Sequence, residues 1–389
     1  MLPVRWESVP LGNAALVAFS DRAQRMRSHL ENLQALRGIA CLMVVLYHLA
    51  YWDGLYGANT FFLIPFRWFG FAGVDLFFVL SGFLITSTNI DRFGKPRAIP
   101  EYLARRFGRI YPAYWAAMLA TAVTVGPLLN WQITSSGWLK DFALLMTVTP
   151  YAPPNTVVGQ AWTLGYELLF YLVLGVCLLV PPRWAGVGLA LWAVAVIAGL
   201  FAEKPNDPFL QMVLSPFVLE FLAGCAIAAL AYNLKNLPGW HWVVGAATIY
   251  ALMTATLINS STTTPYAALM AEPGPRVVVF GLPAAFLVYA AIAAERTGVW
   301  YLPVWLRRVG DASYSIYLTH FSVLLVAVWI GTFTSHSRWP HLAWLVISLV
   351  ACLAFGFAFH FAIEWPMNAV VVRLSKRLRW NGQGMQSSP

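Results

Sequence analysis

Leu36-Arg37-Gly38-Ile39-Ala40-Cys41-Leu42-Met43-Val44-Val45-Leu46-Tyr47-His48-Leu49-Ala50-Tyr51-Trp52-Asp53-Gly54 is an apolar run with charges only near its two ends. A helix needs about 20 mostly apolar residues to cross the hydrocarbon core of a bilayer, so this stretch predicts a membrane span. Nine further runs of the same kind follow, at roughly 68–89, 110–130, 160–180, 184–202, 209–231, 240–258, 276–293, 313–333 and 341–364. Turn sequences separate several of them: Pro181-Pro182, Lys204-Pro205-Asn206-Asp207-Pro208, Leu237-Pro238-Gly239 and Glu272-Pro273-Gly274-Pro275. The expected fold is all-α and polytopic, with about ten transmembrane helices.

Composition agrees with that expectation. A soluble domain carries about a quarter charged residues, whereas this chain of 389 residues has 11% charged and 59% apolar. Such a chain cannot cover itself with polar surface. The 18 Trp suit the interfacial belts at headgroup level. A formal charge of +9 raises the question of nucleic acid, but the basic residues lie in short segments between apolar runs, and no nucleic-acid partner is expected. Cys41, Cys177, Cys225 and Cys352 each fall inside an apolar run without C-x-x-C spacing, so they read as reduced structural thiols and no metal is expected. Residues 1–30 contain no apolar stretch of the kind a cleavable signal needs, and the first span is expected to act as the insertion signal.

Orientation follows from the positive-inside rule, because an even number of spans puts both termini on one side. With the termini cytoplasmic, the inner segments hold all of the 25 Lys and Arg except Arg67, Lys140, Lys204, Arg276 and Arg338. The expected organisation is a cytoplasmic segment 1–32, a membrane domain 33–366 and a basic cytoplasmic tail 367–389. The longest outer loop, about 131–159, is expected to form a lid or a short interfacial helix.

Charges inside spans are expensive and usually face a cavity or a partner. Arg37 and His48 are eleven positions apart, which at 100° per residue places them on one helix face about 16 Å apart. A guanidinium at the inner mouth can hold the phosphates of a nucleotide-bearing donor. An imidazole deeper on that stripe can take a proton from a hydroxyl and return it to a leaving thiolate. The bland alternatives are a topogenic anchor for Arg37 and a satisfied helix-contact histidine for His48; their common stripe, read as one tunnel, favours function. Arg105, Arg106 and Arg109 form a second phosphate-sized cluster on the same side, with a lipid-headgroup anchor as the competing reading.

Asp75 is a lone carboxylate in the second run. It can orient the His48 imidazole as the acid of a triad does, or pair structurally with an arginine. In the fourth run Glu167 can activate or grip a sugar hydroxyl, with Trp162 and Tyr166 offering rings on which a sugar stacks; polar glue between helices is the alternative. His320 and Glu364 are intramembrane or boundary polar groups for which a structural role is the first reading, with His320 also a candidate acceptor contact. No H-E-x-x-H, G-x-S-x-G or Walker-type segment occurs, which leaves zinc hydrolysis, an elbow serine and nucleotide hydrolysis without support.

These pieces together resemble the acyltransferase 3 family of membrane acyltransferases. The matching segments are Leu36-Arg37-Gly38-Ile39-Ala40 followed by Tyr47-His48, Gly73-Val74-Asp75 through Phe83, Arg106-x-x-Arg109-Ile110-Tyr111-Pro112, Trp162-Thr163-Leu164 through Glu167, Ser313-Tyr314-Ser315-Ile316-Tyr317-Leu318-x-His320, and Glu364-x-Pro366. The resemblance implies ten or so helices in the bacterial cytoplasmic membrane and an acyl group, usually acetyl, taken from cytoplasmic acyl-CoA. It also implies an acceptor hydroxyl on O-antigen, exopolysaccharide, peptidoglycan or a small molecule, the helix-one histidine as the essential residue, and the arginines as donor contacts. By that resemblance acetyl-CoA is the expected donor, Arg37, Arg106 and Arg109 its contacts and His48 the catalytic residue. From the residues themselves Arg105 joins the donor contacts, Glu167 and Asp75 are expected beside His48 in catalysis, and Trp162, Tyr166 and His320 toward the acceptor. A glycan or lipid-linked sugar, membrane lipids and polysaccharide biosynthesis or export proteins are the expected partners. Some relatives append a soluble hydrolase-like domain, and this sequence ends about 20 residues beyond its tenth run. The competing class is a polysaccharide or lipid transporter in which His48, Asp75 and Glu167 form a proton path.

Overall fold

The computed structural model describes residues 31–55, 60–128, 142, 157–233, 245, 273–298, 301–334 and 341–384. Among the described residues every regular element is helical. We number the main helices α1 (Glu31–Leu55), α2 (Gly73–Asn89), α3 (Ile99–Leu128), α4 (Trp162–Cys177), α5 (Pro182–Gly199), α6 (Phe217–Asn233), α7 (Leu282–Thr297), α8 (Val304–Asp311), α9 (Ser313–Thr334), α10 (His341–Phe359) and α11 (Trp365–Gly384).

Among the described residues, seven segments are long and apolar enough to cross a membrane, and they correspond to seven of the ten expected runs. The other three differ. The run at 110–130 is the second half of α3, which begins eleven residues earlier and carries Glu101, Arg105, Arg106 and Arg109 within the helix. The run at 209–231 is split into Pro208–Val213 and α6, because Pro216 lacks the N–H needed to continue a helix. Apart from Gly245, the run at 240–258 lies outside the described residues, as do most of the expected outer loop and residues 1–30. At the other end, α10 passes through a π-helical turn, His360–Glu364, straight into α11. The boundary expected at 366 therefore falls within a continuous helical segment, whose last part packs on α3: a Cβ on Gly108 would meet Val371, and Arg105 Nε donates to Ser375 Oγ at 3.2 Å.

Packing in a bilayer rewards close backbone approach rather than removal of apolar surface from water. The contact of α2 with α6 shows this. A Cβ on Gly82 would sit 2.1 Å from the Phe221 carbonyl oxygen, and one on Gly224 would sit 2.1 Å from that of Val79. Around this contact a large core joins Phe78, Tyr166, Phe170, Phe217 and Phe221. A second core, Cys41, Val45, Leu49, Ile316, Leu324 and Cys352, joins α1, α9 and α10. Helix α5 is peripheral, with only Ala185 and Val196 buried, the pattern of a span surrounded by lipid.

The first turn of α1 is held from outside the helix. The Glu295 carboxylate accepts from the backbone N–H groups of Glu31 at 2.8 Å and Asn32 at 3.0 Å, satisfying donors that have no partner within the helix. Asn32 Oδ1 accepts from Leu302 N at 2.8 Å, and Arg307 pairs with Glu31. At the opposite end His341 Nε2 lies 2.5 Å from Asp53 Oδ1, which ties α1 to α10. Helix α1, bearing Arg37 and His48, is thus fixed at both ends.

Candidate active site

The first two turns of α9 place polar groups on several neighbouring helices. Arg37 Nη2 donates to Ser313 Oγ at 3.0 Å, and Tyr314 OH donates to the Ile110 carbonyl at 2.8 Å. Ser315 Oγ donates to Glu364 Oε2 at 2.6 Å, and the same oxygen receives His360 Nδ1 at 2.8 Å. Tyr317 OH lies 3.0 Å from the Gln160 carbonyl and 2.9 Å from Thr163 Oγ1. His320 Nε2 lies 3.2 Å from His48 Nδ1. Positions 313 and 320 are two turns apart on one stripe of α9, so the stripe of α1 bearing Arg37 and His48 lies alongside it.

Beside these contacts a cavity opens among α1, α2, α3, α4 and α9. Arg37, Arg106, Arg109, Glu167, Tyr171 and Ser313 line it. Arg106 donates to Thr88 Oγ1 at 2.9 Å, with its guanidinium 5.8 Å from the Tyr102 ring and 5.6 Å from the Tyr171 ring. Glu167 accepts from Tyr171 OH, one turn further along α4. Arg37 and Arg109 repel each other, and each is attracted by Glu167 and Glu364. Three guanidinium groups against these carboxylates give a cavity with excess positive charge, suited to a polyanion.

Arg105, the third member of the expected cluster, is not among the residues that line this cavity. Its Nη2 is 2.7 Å from Glu101 Oε1, one turn back on α3. Arg105 Nε also donates to Ser375 Oγ at 3.2 Å, so its guanidinium is engaged by Glu101 and α11.

The expected tunnel is also interrupted. The cavity lining includes Phe77 and Tyr317 but not His48. Tyr317 packs its ring 5.9 Å from that of Phe77 and 5.8 Å from that of His320, which in turn lies 5.0 Å from the His48 ring. Arg37 and His48 share α1, Arg106 and Arg109 lie on α3, and the rings of Tyr317 and His320 follow one another from the cavity lining to His48. His48 itself is partly buried among Tyr47 at 5.0 Å, Phe321 at 5.3 Å and His320, with Nδ1 2.9 Å from the Val44 carbonyl.

Asp75 is engaged elsewhere. Fully buried, it receives Arg276 Nη2 at 2.7 Å and Nε at 3.1 Å, and Glu220 lies against the same pair. The orientation of His48 falls instead to the Val44 carbonyl and His320. Arg276, expected in an outer loop, is buried and stands 4.7 Å from the Phe71 ring and 4.9 Å from that of Phe217. Tyr166 is buried against Phe78 and Phe217, both at 5.7 Å, and the partly buried Trp162 ring lies 5.8 Å from Phe217. In this structure the Tyr166 ring lies inside the aromatic core and the Trp162 ring packs against it. Sequence reasoning passed over Tyr171 and Glu220. The first stands one helical turn from Glu167; the second was visible only as another carboxylate in an apolar run, which calls for a partner.

Fold and site define a polytopic helical membrane protein with a cationic cavity among its spans. The chain belongs to the acyltransferase 3 family, whose acyltransferase domain matches residues 30–361. It is 30% identical over 267 residues to the exopolysaccharide production protein ExoZ of Rhizobium meliloti, covering 66% of this chain and 78% of that protein. To the peptidoglycan O-acetyltransferase OatA of Listeria monocytogenes it is 25% identical over 374 residues, covering 88% of this chain but only 56% of the relative, so it spans little more than half of that protein. Nodulation protein 10 of Rhizobium leguminosarum bv. viciae is 27% identical over 339 residues, covering 78% of this chain and 86% of that protein. No solved structure matches the chain significantly.

Proposed function

We propose that this chain transfers a short acyl group, acetyl in the simplest case, from cytoplasmic acyl-CoA to a hydroxyl of an envelope glycan. The observation that carries the reading is the convergence of Arg37, Arg106 and Arg109 on one cavity, beside the helix pair that holds His48. Membership of the family and the names of ExoZ and OatA support acyl transfer to a polysaccharide. In this reading the chain lies in the bacterial cytoplasmic membrane with ten spans and both termini inside. Helices α3 and α6 cross along with the seven apolar spans, and 240–258 supplies the tenth. Residues 33–366 form the catalytic membrane domain.

The three arginines hold the donor's phosphates, and the pantetheine arm runs toward Tyr317. Because that ring closes the cavity, the thioester reaches His48 only when Tyr317 swings aside. His48 Nε2 then takes the proton of the acceptor hydroxyl as its oxygen bonds to the thioester carbon. The C–S bond breaks, and the thiolate leaves with the proton that His48 carried. Glu167, held by Tyr171, orients the acceptor or the incoming thioester. Asp75 keeps a supporting place as the partner of Arg276.

The test is acetyl transfer from acetyl-CoA in membranes carrying the native chain or His48→Ala, with surface-glycan acetylation read in parallel. Loss of both at equal protein level is expected for the variant. Retained acetylation by His48→Ala overturns the mechanism, and a native protein that never consumes acetyl-CoA points to the transporter reading.

A further inference from the structure

We propose that His320 is a positioning residue that locks the His48 imidazole in the Nδ1–H tautomer and so turns a bare Nε2 toward the acceptor. The inference rests on the reading of His48 as the base and adds what sets that base's proton.

The argument is one of donors and acceptors. His320 Nδ1 lies 2.8 Å from the Tyr317 carbonyl and 3.2 Å from that of Ile316. Both neighbours are acceptors only, so Nδ1 carries the hydrogen. In the neutral ring Nε2 of His320 is then an acceptor. That acceptor faces His48 Nδ1 at 3.2 Å, and the Val44 carbonyl faces the same nitrogen at 2.9 Å. Two acceptors converge on His48 Nδ1, so the hydrogen resides there, shared between them. The lone pair of His48 is left at Nε2, which makes no hydrogen bond among the described residues.

A backbone carbonyl alone already favours this tautomer. His320 adds the sidewise constraint: its ring is fully buried, held by its own helix and packed against Tyr317, and it meets the His48 ring at 55° with centroids 5.0 Å apart. With both nitrogens used inside the protein and no exposed surface, His320 has nothing left to offer a sugar, so its contribution passes through His48. A group supporting the ring of a catalytic histidine keeps the correct nitrogen deprotonated, as the carboxylate does in hydrolase triads.

Two substitutions separate positioning from packing. His320→Gln keeps a side-chain acceptor near the Nε2 position, whereas His320→Leu keeps volume and removes it. With the full-length protein in detergent or nanodiscs and acetyl-CoA as donor, His320→Leu is expected to lower kcat roughly a hundredfold, within the range of a lost general base. Its KM for acetyl-CoA should stay within about twofold, since the arginines are untouched. His320→Gln is expected to recover most of kcat. Ring-15N histidine spectra, with the His48 signal assigned by its loss in His48→Ala, should show the Nδ1–H form in the native protein and a mixture of tautomers in His320→Leu. The proposal is overturned if His320→Leu keeps the native rate, if His320→Gln is as impaired as His320→Leu, or if the His48 ring signals do not change in His320→Leu. Because the spectra do not depend on turnover, a tautomer shift in His320→Leu alongside an active His48→Ala would sink the base assignment instead.

Discussion

Arg276 reaches Asp75 across 201 positions of sequence, and a guanidinium and a carboxylate that lie in separate apolar runs close into a buried pair between Phe71 and Phe217. Glu220 lies against the same pair, so one cation serves two carboxyl groups.

Removing the cation should therefore hurt more than removing one of its partners. Arg276→Met leaves Asp75 and Glu220 facing each other and is expected to cost about 3–5 kcal/mol, the scale of a broken buried pair. Asp75→Asn keeps a hydrogen-bonding side chain and leaves Glu220 to balance Arg276, so it should cost less. Thermal unfolding of the purified variants checks the order, and an Asp75→Asn protein less stable than Arg276→Met contradicts it.

The neighbouring arginines of α3 should separate kinetically. Arg106→Ala and Arg109→Ala are each expected to raise KM for acetyl-CoA roughly tenfold or more, since one charge-assisted hydrogen bond is worth about 1.5–3 kcal/mol. Arg105→Ala should leave it within about twofold, because its partner is Glu101 and a partly exposed pair is worth about 0–1 kcal/mol. Equal effects at all three positions would return Arg105 to the donor site.

Glu167→Gln preserves a partner for Tyr171 and removes a negative charge attracted to Arg37 and Arg109. If the carboxylate serves the acceptor or the thioester, kcat should fall at least tenfold while KM for acetyl-CoA stays level or drops. A raised KM with native kcat would make Glu167 part of the donor's seat instead.

Gly82 and Gly224 set the spacing of α2 and α6. A Cβ 2.1 Å from a carbonyl oxygen forces the helices apart, so Gly82→Val is expected to destabilise by at least the roughly 1–3 kcal/mol of an overpacked core. Gly188→Val in α5, where nothing lies within 4 Å, is the control. Size-exclusion profiles and unfolding temperatures should distinguish the two, and indistinguishable variants would argue against this close approach.

Local chemistry was enough to read the run at 36–54 as a span, because length and apolarity are properties of a segment by itself. The same local view began the third apolar run at 110 with Arg105, Arg106 and Arg109 at its inner start, whereas α3 begins at Ile99, since charged first turns show no uninterrupted apolar window. It also ran 209–231 together across Pro216. The stripe joining Arg37 to His48 could be computed from 100° per residue. What faced that stripe could not.

Helical character, the apolar spans and the list of costly polar residues within them were determined by the sequence alone, because each follows from how a single segment meets lipid. Tertiary structure alone decided the pairings between helices: Asp75 with Arg276, His48 with His320 and Arg37 with Ser313, whereas Arg105 with Glu101 is a pair one turn apart within α3. The physical reason is that a buried polar group must find a partner, while the choice among many candidates depends on which helices come to lie side by side.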